Sequence, residues 1–221
     1  MEKTTLKAVM FDMDGVITDT MPYHFRAWRK ILRNNGLTVS KFDIYSREGQ
    51  KGTESIREIF AQSAMTISTS QAQRIIDDKE RFFKQIIRQR FIPGSRTLIK
   101  KLYHNGVRLA LVTGTSRHEV ERTMPKKLLA MFEATVTGSD VLLGKPHPEP
   151  YLNALKALKI SGEEAIVIEN APFGIMSAKA AGIKCYAVST SLPAKYLKGA
   201  DRTFKDLKSL SGVLQKALDK K

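Results

Sequence analysis

Five short apolar runs, set apart by segments with helical periodicity, constrain the fold of this chain more than any other feature. We interpret the runs as buried strands, and they cover residues 7–11, 107–112, 134–137, 165–168 and 185–188. Helical patterns cover residues 93–105, 117–131, 148–158, 173–181 and 207–218. Strands that alternate with helices imply a parallel sheet covered by helices on both faces. We therefore predict an α/β core whose ligands bind beyond the carboxyl ends of the strands.

The stretch between the first and second runs is different, because it contains no convincing strand. Helical patterns cover residues 21–36, 55–60 and 71–87, and this stretch without strands ends at residues 91–94. We therefore predict a small helical domain, residues 18–91, inserted after the first strand. Residues 1–17 and 92–221 would form the core.

Composition limits the class of protein. The 221 residues contain 42% hydrophobic and 27% charged residues, as a globular domain does. The single cysteine, Cys185, excludes an internal disulfide, so we expect a reducing cytoplasm. The first seven residues lack the apolar centre of a signal peptide, and we expect no membrane span and a monomer.

The net charge of +15 has three readings. It would suit contacts with nucleic-acid phosphates, the steering of an anionic substrate, or a lysine-rich surface that keeps the protein soluble. The basic residues are scattered along the chain and form no arginine-rich tract. We therefore disfavour nucleic acid as the main partner.

Two carboxylates follow the first strand, at Asp12 and Asp14. Extended residues two apart face the same way, so these carboxylates would repel each other unless a cation lay between them. Magnesium is the natural choice, because it prefers oxygen ligands and keeps several waters. The alternative is an Asp-rich turn without a metal.

Polar residues also follow the second and fourth strands. Thr113 and the backbone N–H of Gly114 can hold phosphate oxygens, although a plain turn with Ser116 as a helix N-cap is the alternative. Glu169 and Asn170 end the fourth strand. Lys145 lies in a loop that is stiffened by the prolines on either side of His147, where it would be a fixed positive charge for a phosphate or an ordinary surface lysine.

Taken together in this order, these residues resemble the four motifs of the haloacid dehalogenase superfamily. Asp12-x-Asp14-Gly15-Val16 is similar to the first motif, Thr113 to the second, Lys145 to the third and Glu169-Asn170 to the fourth. The resemblance covers essentially the whole chain and implies a Rossmann-like core with a small helical cap domain. The stretches 14–28 and 144–151 are most similar to the β-phosphoglucomutase-like subfamily.

The resemblance implies a role for each motif residue. Asp12 would attack phosphorus and become an aspartyl phosphate, and Asp14 would act as the acid/base group. Thr113 and Lys145 would stabilise charge on the transferring group. A Mg²⁺ cofactor would be held by Asp12, the backbone carbonyl of Asp14, Glu169 and Asn170.

Some positions depart from the mutase pattern. The mutase has an acidic pair in the fourth motif, whereas this chain has Asn170 as the second member. In the cap, Glu48 and Gly52 stand where the mutase presents a lysine and a phosphate-binding arginine, although Lys51 is adjacent. These departures are closer to phosphatases of the subfamily, including inorganic-pyrophosphatase-like members.

The cap supplies further candidates. Glu48 would swing in when the cap closes and replace the carboxylate that is missing at Asn170, on the metal or on one of its waters, or it is merely a solvated residue of the cap loop. His24 and Lys79 align with cap-side residues that contact the substrate or the acid/base aspartate in the mutase, or they are merely surface residues of the linker and helix.

We therefore predict a magnesium-dependent phosphohydrolase for a small phosphorylated metabolite or pyrophosphate. The second hypothesis is β-phosphoglucomutase or a related sugar-phosphate mutase. A distant third is a basic nucleic-acid-binding protein on a catalytically idle fold, against which the intact motif residues argue.

Overall fold

The computed structural model describes residues 6–218. Its centre is a sheet of six parallel strands in the order β3-β2-β1-β4-β5-β6. The strands are β1 Ala8–Phe11, β2 Arg108–Val112, β3 Ala134–Val136, β4 Ala165–Glu169, β5 Lys184–Val188 and β6 Arg202–Phe204. The five expected strands and the α/β parallel architecture are thus confirmed.

The sixth strand, β6, is absent from the sequence prediction. It has only three residues, Arg202 and Thr203 are exposed, and only Phe204 is buried. So short a segment at the edge of a sheet shows no apolar run, and its pairing with β5 is what defines it as a strand.

Helices cover both faces of the sheet. They are α5 Ser95–His104, α6 Arg117–Thr123, α7 Lys126–Leu129, α8 Glu149–Leu158, α9 Pro172–Ala180 and α10 Leu207–Leu218. Two apolar clusters pack on opposite faces of β1: one includes Val9 and Phe11, the other Ala8 and Met10. The alternation follows from the period of two along a strand.

Two helix predictions were wrong in detail. The single helix expected over residues 117–131 is two helices, because Pro125 has no N–H and the preceding Met124 is extended. The helix expected to open at Pro93 begins at Ser95, after Gly94 in a left-handed conformation with φ of 86°.

The strandless stretch forms four helices. These are α1 Met21–Asn34, α2 Lys41–Tyr45, α3 Gly52–Gln62 and α4 Thr69–Ile86. The short helix α2 was not expected, although Ser40 and Asp43 form a capping box at its start. The four helices enclose an apolar cluster of their own, which one core residue, Leu192, joins. The domain boundaries at residues 17/18 and 91/92 stay a prediction that this packing favours.

Strand order places the motif residues together. β1 lies between β2 and β4, so the ends of these three strands adjoin at one edge of the sheet. Asp12 follows β1, Thr113 follows β2, and Glu169 ends β4. Within residues 6–218, no helix combines the length and the hydropathy that a bilayer crossing requires.

Candidate active site

Asp12 and Lys145 form a buried ion pair at the centre of this edge. Lys145 Nζ donates to Asp12 Oδ1 at 2.7 Å, to Glu169 Oε1 at 2.7 Å and to the Val112 carbonyl at 3.2 Å. Burial alone would lower the pKa of Lys145, but the charges of Asp12 and Glu169 outweigh it and raise that pKa. Lys145 is 1% exposed, so the alternative of a surface lysine is wrong.

Glu169 is held on every side. Its Oε1 accepts hydrogen bonds from Lys145 and from Tyr151 Oη at 2.9 Å, and its Oε2 accepts from the backbone N–H groups of Asn170 and Ala171 at 2.9 and 3.3 Å. These four bonds fill the acceptor positions of a carboxylate. The predicted role of Glu169 as a direct metal ligand would require one of them to be given up. Sequence analysis assigned no role to Tyr151.

Two buried oxygen atoms beside this cluster have no hydrogen-bond partner in the described part of the chain. They are Asp12 Oδ2 and Asn170 Oδ1, on residues that are 1% and 0% exposed. A buried polar atom without a partner is costly, and a hard cation takes such oxygen atoms as ligands. Burial and the negative charges of Glu169 and Asp14 raise the pKa of Asp12 to about 8, against the opposing effect of Lys145. The negative charges of these carboxylates therefore outnumber the single positive charge of Lys145, as expected of a site that binds Mg²⁺.

The site offers few charged ligands to a metal. Among residues 6–218, no group of three His, Cys, Asp or Glu side chains is arranged to hold a metal by itself. A magnesium site here would therefore combine the Asp12 carboxylate with neutral oxygens, from the Asn170 amide and from the backbone. Magnesium accepts such ligands and completes its shell with water.

Asp14 lies in a separate network of hydroxyl groups. Its Oδ1 accepts from Thr20, and its Oδ2 accepts from Thr115 at 2.8 Å and from Thr113 at 3.5 Å. Burial alone would raise the pKa of Asp14, but the nearby His24 and hydrogen bonds from Thr20 and Thr115 lower it to about 2. Thr20 and Thr115 were missed by sequence analysis. Their signal is weak: Thr115 lies two residues beyond Thr113, and Thr20 six beyond Asp14.

His24 and Lys79 reach this network from the cap. Lys79 Nζ lies 3.1 Å from His24 Nδ1, and His24 Nε2 lies 3.6 Å from Asp14 Oδ1. Because a lysine ammonium only donates, Nδ1 is the acceptor and the imidazole N–H is on Nε2, facing Asp14. Burial and the charge of Lys79 lower the pKa of His24, which favours this neutral form. Lys79 is 4% exposed, so it is not a surface residue.

The cap loop that follows α2 lies directly on the core. Gly49 has φ of 82°, and a Cβ there would lie 2.4 Å from Lys145 Cδ. A Cβ on Gly114 would lie 2.7 Å from Gly49 Cα. Burial and the negative charges of Asp14 and Asp12 raise the pKa of the neighbouring Glu48 well above its usual range. The cap is therefore closed, with Glu48 near both aspartates.

A cavity of about 340 Å³ lies between the cap and the core. Its polar wall includes Asp14, His24, Glu48, Lys79, Gly114 and Thr115, and its apolar wall includes Trp28, Ile76 and Phe83. Lys51 is not part of this wall. It lines a second cavity, of about 270 Å³, whose wall also includes Thr113 and Lys145.

Comparisons with known proteins agree with this geometry. A family model described as haloacid dehalogenase-like hydrolase matches residues 9–188. The phosphorylated carbohydrates phosphatase of Thermotoga maritima is 33% identical over 193 residues, which cover 85% of this chain and 87% of the relative. The β-phosphoglucomutase of Bacillus subtilis is 29% identical over 93% of this chain and 92% of its own length.

Solved structures show the same likeness. A Bacteroides vulgatus protein, provisionally named a β-phosphoglucomutase, superposes with a TM-score of 0.88 at 33% identity, covering 99% of this chain and 91% of that one. The β-phosphoglucomutase of Clostridium difficile superposes with a TM-score of 0.83 at 24% identity and covers 98% of both chains. With its motif residues gathered at one sheet edge under a helical cap, the chain belongs to the haloacid dehalogenase-like hydrolases and, within them, to the β-phosphoglucomutase-like subfamily.

Proposed function

We propose that this protein is a magnesium-dependent phosphohydrolase that acts on a small phosphorylated metabolite or on pyrophosphate through an aspartyl phosphate at Asp12. One observation carries the proposal. Lys145 holds Asp12 Oδ1, while Asp12 Oδ2 and Asn170 Oδ1 are buried with no hydrogen-bond partner in residues 6–218. A carboxylate whose position is fixed by a lysine suits a nucleophile. Its second oxygen and the Asn170 oxygen, both without a partner among these residues, suit a hard cation.

The metal would be held by Asp12, Asn170 and the backbone carbonyl of Asp14. When bound, Mg²⁺ supplies positive charge that neutralises the transferring phosphoryl group. Glu169 would serve instead to fix Lys145, since its oxygens already accept four hydrogen bonds. Thr113 and Lys145 would stabilise charge on the phosphoryl group through a hydroxyl and an ammonium.

Asp14 would donate and accept the protons of the reaction. A carboxylate oxygen of Asp12 bonds to phosphorus, the bond from phosphorus to the leaving oxygen breaks, and that oxygen takes the electron pair. Asp14 is ionised in the free site, and an arriving phosphate raises its pKa because like charges disfavour the ionised form. Asp14 therefore takes up a proton from water as the substrate binds, and it donates this proton to the leaving oxygen. In the second step Asp14 takes a proton from water, which attacks phosphorus and releases Asp12.

The cavity favours a hydrolase over a mutase. A mutase must hold the second phosphate of a bisphosphate, which calls for a free cation on the cap wall. The three lysine and arginine side chains of the described wall are already paired: Arg47 with Glu58, Lys79 with Glu80, and Lys84 with Glu119. The volume of about 340 Å³ admits a sugar phosphate as well as pyrophosphate.

Glu48 would complete the metal site in this closed position of the cap. Asn170 carries no charge, and Glu48 lies near enough to Asp12 and Asp14 for their charges to raise its pKa. We expect Glu48 to replace the missing carboxylate, either on the metal or on one of its waters. Glu48→Gln should therefore raise the magnesium concentration needed for half-maximal turnover, and an unchanged requirement and rate would reject this role.

A phosphate-release screen with and without magnesium tests the function. The panel should contain pyrophosphate, hexose phosphates and nucleotides, and Asp12→Asn should reduce turnover by at least about 10³-fold. Interconversion of glucose 1- and 6-phosphates without phosphate release would instead favour the mutase. Full activity of Asp12→Asn on every substrate would reject the covalent mechanism.

We also expect a monomer that works in a reducing cytoplasm and does not bind nucleic acid as its main role. The only cysteine, Cys185, is buried in the core, where burial raises the pKa of its thiol. Size-exclusion chromatography tests the monomer. A salt-dependent gel shift in a protein without phosphatase activity would favour nucleic-acid binding instead.

A further inference from the structure

The Asn170 side chain has two chemically different ends. Its Oδ1 can bind a cation, whereas its Nδ2 carries hydrogens and cannot. An aspartate in this position would present an oxygen whichever way it turned. A chain with asparagine here therefore needs something that keeps the amide oxygen toward the metal.

Ser191 is the partner of the nitrogen end. Asn170 Nδ2 donates to Ser191 Oγ at 2.8 Å, across 21 residues of chain. Asn170 Oδ1 is buried and has no partner among the residues that the structure describes. The hydrogen bond thus occupies the end that cannot bind a metal and leaves free the end that can.

The loop after β5 fixes this pair against the first motif. Gly15 has φ of 92°, and a Cβ there would lie 2.2 Å from Asn170 Nδ2 and 2.5 Å from Ser191 Oγ. Thr190 Oγ1 donates to the Gly15 carbonyl at 2.5 Å. The amide and the hydroxyl are therefore packed directly on the Cα of Gly15, in the same loop as Asp12 and Asp14.

We propose that Ser191 is a positioning residue that orients the Asn170 amide with its oxygen toward the metal. The inference rests on the metal dependence proposed above. In that orientation the buried Nδ2 group needs an acceptor, because a buried donor without one is costly. Ser191 supplies this acceptor, and no charge is added to the site.

Metal affinity of the resting enzyme is the measurement that tests Ser191. The EPR signal of free Mn²⁺ reports how much of the ion the enzyme binds without substrate. This measurement does not depend on turnover. Ser191→Ala should weaken binding by about 10-fold or more, as loss of a hydrogen bond to a metal ligand does elsewhere. Ser191→Thr keeps the hydroxyl and should retain most of the affinity.

The variant Asn170→Asp separates orientation from general damage. Both oxygens of an aspartate can bind the metal, so adding Ser191→Ala to Asn170→Asp should change Mn²⁺ affinity much less than Ser191→Ala does alone. Ser189→Ala is the matched control, because Ser189 Oγ lies on the same loop but donates to the Phe204 carbonyl at the sheet edge. It should leave affinity unchanged.

The outcomes are distinct. Wild-type affinity in Ser191→Ala, or an equal loss in the Asn170→Asp background, would overturn the role of Ser191 and leave the metal site standing. A wild-type protein that binds neither Mn²⁺ nor Mg²⁺ would overturn both this inference and the proposed metal dependence. Thermal unfolding of each variant without metal shows whether it is folded.

Discussion

Lys145 Nζ lies 2.7 Å from Asp12 Oδ1 and 2.7 Å from Glu169 Oε1, although 133 residues separate Lys145 from Asp12 along the chain. All three side chains are 1% exposed. One ammonium group therefore faces two buried carboxylates. One negative charge is left over, and a cation can balance it. This arrangement makes the site both a centre of reactivity and a point on which the stability of the core depends.

Replacing Lys145 with Met should destabilise the protein strongly. Asp12 and Glu169 would be left as buried carboxylates without a counter-ion, which costs about 3–5 kcal/mol. Urea denaturation in the presence of EDTA measures the loss. Lys179→Met is the control, because its partner Asp201 is 32% exposed and such pairs contribute about 0–1 kcal/mol. Equal losses in the two variants would contradict the expectation.

Tyr151 is expected to support Glu169. Tyr151→Phe removes the hydroxyl that donates to Glu169 Oε1 at 2.9 Å and should cost about 1–3 kcal/mol of unfolding free energy. It should also lower kcat, because Glu169 positions Lys145. Tyr103→Phe, at a side chain that is 47% exposed, serves as the control in the same assays. If Tyr151→Phe behaved like that control, Tyr151 would have no supporting role.

Gly49 should be required for cap closure. Gly49→Ala would place a Cβ 2.4 Å from Lys145 Cδ, and we expect kcat/KM to fall by roughly 10²-fold because the closed geometry is displaced. Gly36→Ala is a matched control: its φ is 79°, close to the 82° of Gly49, but no atom lies within 4 Å of its Cβ position. Both variants carry the same left-handed backbone strain.

Steady-state kinetics on whichever substrate the screen identifies distinguishes the two glycine variants. A similar kcat/KM in Gly49→Ala and Gly36→Ala would show that backbone strain alone explains the loss. In that case the contact between Gly49 and Lys145 would have no part in closure.

Asp201 should make stability depend on pH. Burial alone would raise the pKa of Asp201, but hydrogen bonds from Lys179 and the Cys185 N–H lower it below 3.8. A carboxyl group with a lowered pKa in the folded state stabilises the protein above its ordinary pKa, and that contribution is lost as the pH falls through the lowered value. Asp201→Asn should therefore cost about 1 kcal/mol at pH 7.

Urea denaturation between pH 7 and pH 3 measures this effect. The difference between wild type and Asp201→Asn should shrink as the pH falls below about 4. Asp78→Asn, in an exposed i,i+3 pair with Arg81, should differ from wild type by no more than about 0.5 kcal/mol. A pH-independent loss in Asp201→Asn would contradict the account.

Much of the fold was predictable from local patterns. Apolar runs located β1 to β5, because buried parallel strands are nearly continuous in apolar residues. The same patterns failed at β6, whose three residues are defined by pairing with β5, and at residues 124–125, where a proline divides an otherwise helical pattern. The candidate residues Asp12, Asp14, Thr113 and Asn170 were identified because they follow or end predicted strands, and Lys145 was identified from its proline-containing loop.

The supporting residues were not predictable in this way. At most a weak local signal marks Thr20, Thr115, Tyr151 and Ser191. Each is significant only through the side chain that it contacts. Lys51 shows the converse, since it is only three residues from Glu48 in sequence but lines the second cavity. Neighbours in a loop can point in different directions.

The sequence by itself determined the alternation of β1 to β5 with helices along the chain, the inserted helical stretch and the chemical groups available at the strand ends. These follow from periodicity and residue type, which are local properties of the chain. Only the tertiary structure decided which oxygen atoms of Asp12, Asn170 and Glu169 are free and which are engaged. Their hydrogen-bond partners include Lys145, Tyr151 and Ser191, which lie 18 or more residues away and meet them only when the sheet, its loops and its helices pack together.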